Sequence, residues 1–189
     1  MKKLIFKTYN IANKRKWNKI CWAVDIHDVI LESNYKAGDI PKTFLGNAKT
    51  VLQRLSLRRD TTLVLYTCSY PNEIIEYQKF FKENDIIFKY VNENPDCPNT
   101  AFGNFDKKFY YNILLEDKAG FEPEDWNEIS NAMDEIDVAY VIEHDGKEVL
   151  AQVGDLICMT LAADKCLKHA IRKSNCTVLG KLDLTKNKK

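Results

Sequence analysis

Four short stretches of this sequence carry side chains whose types and spacing could do chemistry. "AVDIHDVI", residues 23 to 30, ends an apolar run in Asp25 and follows it at once with His27 and Asp28. "LVLYTCS" ends a second apolar run in Thr67, with Ser69 two residues on. "DKKFYYN" supplies Lys107 and Lys108 ahead of a further apolar run, and "NILLED" closes that run in Glu116 and Asp117. A carboxylate can attack phosphorus, and hard carboxylate oxygens suit Mg²⁺. A hydroxyl and an ammonium can hold the charged oxygens of a phosphoryl group. Adjacent carboxylates such as Glu116 and Asp117 repel each other unless a cation or a proton intervenes. The set therefore suits metal-assisted phosphoryl transfer, provided the fold brings the four stretches together.

The elements around them are of the kind that could do so. Residues 20–24 form a continuous apolar run, as expected of a strand covered on both faces. Residues 48–57 read as a helix, 61–67 as a second strand, and 71 onward as a helix with Pro71 in its first turn and Ile74, Tyr77 and Phe81 on one face. "IIFKYV" reads as a third strand and "NILL" as a fourth. Trp126, Ile129 and Met133 mark another helix. Strands alternating with helices predict an α/β fold: a Rossmann-like parallel sheet with helices on both faces. In such sheets ligands gather outside the carboxyl ends of the strands. Ser69 is expected to cap the helix that begins near Pro71.

After about residue 136 the pattern changes. Two β-like runs flank Asp145-Gly146, a hairpin signal, with His144 as a turn residue. Leu156, Thr160, Ala163, Leu167 and Ile171 then trace one helical face, with Asp155 as the expected cap, and "CTVLGKLDL" reads as a last strand. The expected organisation is an α/β domain over residues 18–135 and a hairpin-and-helix extension over residues 136–189 packed on it.

The 189 residues are 45% hydrophobic, enough to fill a core. No apolar run reaches the roughly 20 residues that span a bilayer, and the N-terminal stretch lacks the apolar core of a signal peptide. A cytoplasmic protein without a membrane partner is the expectation. The six cysteines include no C-x-x-C pair, which argues against a zinc site. Net charge is +1 but uneven. Residues 1–19 hold seven Lys/Arg and no acid, whereas residues 116–148 hold twelve Asp/Glu and two Lys. Basic termini meeting an acidic middle, or lying solvated, explain this most simply. A surface for nucleic acid is the sharper alternative, unsupported by any binding motif.

"DIHDV", "LVLYT" and "KFYYNILLEDKAGF", in that order, resemble the motifs of the haloacid-dehalogenase (HAD) superfamily of phosphohydrolases over about residues 18–130. "YVNENP" and "LLEDKAGF" are also in the style of HAD-like proteins of bacteria and phages. The resemblance implies a Mg²⁺-dependent phosphomonoesterase working through an aspartyl-phosphate. Asp25 would be the nucleophile and a metal ligand, and the backbone carbonyl of His27 a second ligand. Thr67 would bind the phosphoryl group, Lys108 (or its neighbour Lys107) would neutralise it, and Glu116 and Asp117 would hold Mg²⁺. The sequence departs from the pattern in three places. His27 stands where phosphatases of the family carry an acid/base aspartate, Asp28 replaces glycine, and Glu116 replaces aspartate. His27 leaves open a catalytically silent HAD-like binding protein, and the basic termini leave open a nucleic-acid-end phosphatase. Neither gap between motifs is long enough for a large cap domain, so the phosphorylated substrate is expected to be large or extended, or a small one held by loops or a partner.

Overall fold

The structure is a computed structural model that describes residues 1–34, 36, 38–144, 147–152 and 177–183. It divides into two compact units. One comprises Met1 and Asn18–Ile129, the other Lys2–Trp17 and Ser130–Lys189.

The first unit is built on a four-stranded, all-parallel sheet flanked by helices, its strands β1 (Ile20–Val24), β2 (Thr61–Leu65), β3 (Tyr90–Val91) and β4 (Ile113–Leu115) lying in the order β3-β2-β1-β4. Strand β1 (Ile20–Val24) and strand β2 (Thr61–Leu65) are buried at every position, because both faces of a parallel sheet are covered. Helix α2 (Ala48–Leu57) lies between them in sequence and buries Ala48, Val51, Leu52 and Leu55, one face at helical spacing. Helix α3 (Pro71–Glu83) buries Tyr77 and Phe81 on the expected stripe. Its N-cap is Tyr70 rather than Ser69: the Glu73 carboxylate reaches back to accept from the Tyr70 amide at 3.0 Å, which fixes the first turn one residue later.

Strand β3 is only Tyr90–Val91, shorter than the apolar run 86–91 suggested. Ile86 is buried, but the amide of Ile87 donates to Ser56 Oγ at 2.9 Å and its side chain is exposed, so pairing with β2 begins only at Lys89. Strand β4 (Ile113–Leu115) lies on the other side of β1. Asn112 extends that ladder with its own side chain, Oδ1 accepting from the Cys21 amide at 2.8 Å. A single 3₁₀ turn, Asp117–Ala119, follows and is closed by Gly120 at φ 86. The chain thus steps from β1 outward through β2 and β3, then crosses back to β4. The reversal of direction falls between β1 and β4, where open α/β sheets place their ligands.

Helix α4 (Asp125–Ile136) follows, with Trp126, Ile129, Ala132 and Met133 buried as the apolar stripe required. In its first turn Trp126 Nε1 donates to the Val29 carbonyl at 2.8 Å, pinning the loop that leaves β1. That loop, residues 25–47, contains isolated bridges between His27 and Leu31 and between Leu31 and Phe44, and no helix among its described residues.

The second unit begins with a helix the sequence reading had not assigned, α1 (Lys2–Arg15). Ile5, Thr8, Tyr9 and Ala12 are its buried face, and Lys14 and Arg15 sit at its carboxyl end, where cations suit the helix dipole. Lys2 pairs with Glu135 at 2.5 Å, so the basic N-terminal segment does meet the acidic stretch. Strands β5 (Val138–His144) and β6 (Lys147–Gln152) pair antiparallel on either side of residues 145 and 146, and β7 (Thr177–Asp183) pairs with β5. His144 ends β5 rather than lying in the turn. The expected helix over residues 156–171, its cap at Asp155, and Asp145-Gly146 themselves lie outside the described residues. No helix among the described residues is long and apolar enough to cross a membrane.

Candidate functional site

Asp25 is the first residue beyond β1, and its amide donates to the Leu115 carbonyl at 2.9 Å. That bond continues the β1–β4 ladder by one step and sets Asp25 beside Glu116, the first residue beyond β4. Glu116 is extended, at φ −152 and ψ 127, and caps the 3₁₀ turn that Asp117 opens. A carboxylate oxygen from each of Asp25, Glu116 and Asp117 lies within 4.8 Å of the others. All three residues are half-buried.

Three carboxyl groups this close do not ionise freely. Burial raises the Asp25 carboxyl above the usual range, and the charge of Asp117 adds to it; the Ile26 amide and His27 pull the other way. Burial and a hydrogen bond shared with Asp117 push Glu116 up to about 7. Asp117 is lowered, chiefly because Lys118 Nζ donates to its Oδ2 at 2.6 Å. Of the three, Glu116 is the carboxyl that most readily takes a proton, while Lys118 favours the charged form of Asp117. An all-oxygen, carboxylate-rich donor set at this spacing fits a hard divalent cation of the Mg²⁺ class, which would replace the proton.

The loop after Asp25 is shaped by backbone bonds. The Asp28 amide donates to the Leu31 carbonyl and the Leu31 amide to the Ile26 carbonyl, both at 2.9 Å. This bridge uses the backbone groups on either side of His27. Asp28 sits at φ 58, in the left-handed region where glycine is at ease and aspartate is tolerated. The departure from glycine at this position is therefore compatible with the turn.

The His27 ring is held by α3. Its Nε2 lies 2.8 Å from the Tyr77 hydroxyl, and the two rings meet edge to face. Burial, together with Glu73, Asp25 and Glu76, pushes the Tyr77 phenol up to about 12, so it stays protonated. Sequence reasoning had placed Tyr77 only on a core face. Its spacing from Ile74 and Phe81 gave no sign that its hydroxyl ends at His27.

Thr67 is buried beyond β2. Asn92 clamps its backbone, accepting from the Thr67 amide at 2.9 Å and donating to its carbonyl at 2.6 Å. The Thr67 hydroxyl pairs with Ser69 Oγ at 2.9 Å and accepts from the Ser69 amide at 3.1 Å. Lys107 and Lys108 are exposed, and Lys108 Nζ stands 5.9 Å from the centre of the Tyr111 ring. Neither Thr67 nor Lys108 makes a hydrogen bond or ion pair with the three carboxylates. The ammonium that does is Lys118, which the sequence reading passed over although it directly follows the acidic pair. The structure thus brings together Asp25, His27, Glu116 and Asp117, adds Tyr77 and Lys118, and leaves Thr67 and Lys108 without direct contact to the carboxylates.

Among protein-family models and curated proteins, none matches the chain. A solved structure of a conserved protein from Bacteroides thetaiotaomicron is similar to it at 22% identity and a TM-score of 0.49, covering 61% of this chain and 90% of that one.

Proposed function

We propose that the protein is a Mg²⁺-dependent phosphomonoesterase with Asp25 as its nucleophile. The observation that carries this reading is the convergence of the Asp25, Glu116 and Asp117 carboxylates within 4.8 Å at the carboxyl ends of two adjacent parallel strands. The resemblance of the motifs to those of HAD phosphohydrolases supports it.

Asp25, Glu116, Asp117 and the His27 carbonyl would hold the metal. When bound, Mg²⁺ supplies positive charge that keeps the carboxylates ionised and offsets the repulsion between Asp25 and a phosphate dianion. An ionised Asp25 oxygen attacks phosphorus in line with the ester oxygen. The Asp25–phosphorus bond forms as the bond to the leaving oxygen breaks, and that oxygen takes up a proton. Water then attacks the aspartyl-phosphate, releasing inorganic phosphate and restoring the carboxylate. His27 would give the leaving group its proton, with Tyr77 fixing the ring. Thr67 would serve the phosphoryl oxygens by side-chain movement on binding, and Lys118 would hold Asp117 charged.

The test is phosphate release from an aryl phosphate with and without Mg²⁺, with Asp25→Asn as control. Release that needs both the metal and Asp25 is expected. Metal-independent hydrolysis, or full activity in Asp25→Asn, would sink the assignment. One observation favours a second reading, a binding protein without turnover: Nε2 of His27 is already engaged by Tyr77. On that reading the wild type binds phosphate esters with Mg²⁺ but releases none, and His27→Asp creates activity.

A further inference from the structure

The segment that crosses from β3 to β4, residues 92–112, contains neither helix nor strand, yet it is firmly tied. Asn94 Nδ2 donates to the Tyr110 carbonyl at 2.8 Å, and Asn99 accepts from the Phe105 amide while donating to Asp106 at 2.6 Å. This segment lays aromatic rings and cations beside the strand that carries Thr67. The Tyr66 and Phe109 rings are 5.9 Å apart, Phe109 and Tyr111 are 5.8 Å apart, and the Lys108 ammonium lies over Tyr111. Tyr66 is 38% exposed, and Phe109 and Tyr111 are half-buried. The row begins next to the acidic site. The Tyr66 amide donates to the Val24 carbonyl at 2.8 Å, and the β1–β2 register carried one residue further sets Tyr66 opposite Asp25. Adjacent strands are about 4.8 Å apart.

The segment carries Glu93, Asp96 and Asp106 against Lys107 and Lys108, so an anion would be held at the two lysines rather than by net charge. Asp96 is tied to Lys89 and Tyr90, and Asp106 to Asn99, while Glu93 stands at the β3 end. Lys107 and Lys108 are exposed and have no ion-pair partner among the described residues. Aromatic faces stack any base, and ammonium groups beside them take successive backbone phosphates; this is how single strands are held without sequence preference.

We propose that the ester presented to Asp25 is the terminal phosphate of a single-stranded nucleic acid. Its end bases lie on Tyr66, Phe109 and Tyr111, and its next phosphates meet Lys107 and Lys108. The inference rests on Asp25 marking the phosphoryl site. It favours a strand over a mononucleotide because the row offers three rings and two ammonium groups, more than one base and one phosphate can occupy.

The test uses the full chain carrying Asp25→Asn, with Mg²⁺, and follows the anisotropy of a labelled eight-nucleotide DNA bearing a 5′-phosphate. Competitors are the same strand without phosphate, a blunt duplex, a nucleoside monophosphate and a phosphotyrosine peptide. The phosphorylated single strand is expected to bind tightest. Adding Tyr66→Ala or Tyr111→Ala should weaken it by about 5- to 150-fold, as loss of one stacked base does, while Tyr66→Phe retains it. Lys107→Ala with Lys108→Ala, both at exposed positions that folding does not require, should flatten the dependence of log K on log salt by about 1.4, from roughly 0.7 per single-strand phosphate. Equal competition by the mononucleotide or the peptide, or indifference to all these substitutions, overturns the inference. So does absence of strand binding in a protein whose wild type hydrolyses aryl phosphate with Mg²⁺. Strand binding with the expected dependences, but no Mg²⁺-dependent hydrolysis of any ester, supports this surface and overturns the phosphatase reading instead.

Discussion

Glu116 is the residue on which the electrostatics of the site turn. Its carboxyl is raised in the folded protein to about 7, so the folded chain holds a proton that the unfolded chain releases near pH 4.5. A raised carboxyl stabilises the fold below the unfolded value and loses that contribution as pH climbs through the folded one. The metal-free protein should therefore melt at progressively lower temperature between about pH 4.5 and 7. Asp25, also raised, acts in the same direction, and Asp117, lowered, acts in the opposite one. Melting curves of Glu116→Gln should show a shallower decline than the wild type; an unchanged slope would remove Glu116 as its source. The Tyr77 hydroxyl makes a second residue-scale prediction. Tyr77→Phe leaves His27 Nε2 without its partner at 2.8 Å, and the loss of one hydrogen bond costs about 1 kcal/mol. If His27 gives the proton, hydrolysis of an alkyl phosphate, whose leaving group needs it, should change several-fold. Hydrolysis of a nitrophenyl phosphate should hardly change. Equal effects on both esters would confine the pair to a structural role.

At the scale of elements, the site depends on turns that end strands and enter helices. Gly46 lies just ahead of α2 at φ 46, and a Cβ there would meet the Pro123 carbonyl oxygen at 2.7 Å. Gly120, which closes the turn after Asp117, is also left-handed, at φ 86, but has nothing within 4 Å of where a Cβ would stand. Alanine at Gly120 bears only the backbone strain, about 1–2 kcal/mol. Alanine at Gly46 bears the same strain and a clash with backbone that cannot swing away. Urea unfolding should show Gly46→Ala as the more destabilised of the two, with midpoints shifted at unchanged slope. The reverse ranking would mean that the approach of residue 46 to Pro123 is looser than its geometry indicates.

At the scale of the whole molecule, a cation that binds only the folded state raises stability by mass action, about 2.7 kcal/mol at 100-fold excess over its dissociation constant. Saturating Mg²⁺ should raise the melting temperature of the wild type. The rise should be larger at pH 7.5 than at pH 5, because at the lower pH the metal must displace the proton on Glu116. It should shrink in Glu116→Gln. No shift at either pH would count against a metal site among these carboxylates.

Local pattern was enough to locate most of the parts. The apolar runs at 20–24 and 61–65 are strands because continuous apolar sequence fits a sheet covered on both faces, and the stripes in α2, α3 and α4 are helical because their spacing is. Asp25, Glu116 and Asp117 could be read as strand-end carboxylates for the same reason. What local pattern does not contain is which strand end adjoins which. Strand order is set by long-range packing, so the neighbouring of β1 and β4, and with it the meeting of the three carboxylates, comes from the tertiary structure. The length of β3 was overread because Ile86 is apolar for burial rather than for pairing. Helix α1 was missed because its charges drew the reading toward a basic tail, while its buried face needed a partner surface to become visible. The hydroxyl of Tyr77 on His27 and the ammonium of Lys118 on Asp117 were decided in three dimensions: a side chain's partner depends on where its tip ends, and residue spacing fixes only the face from which it starts.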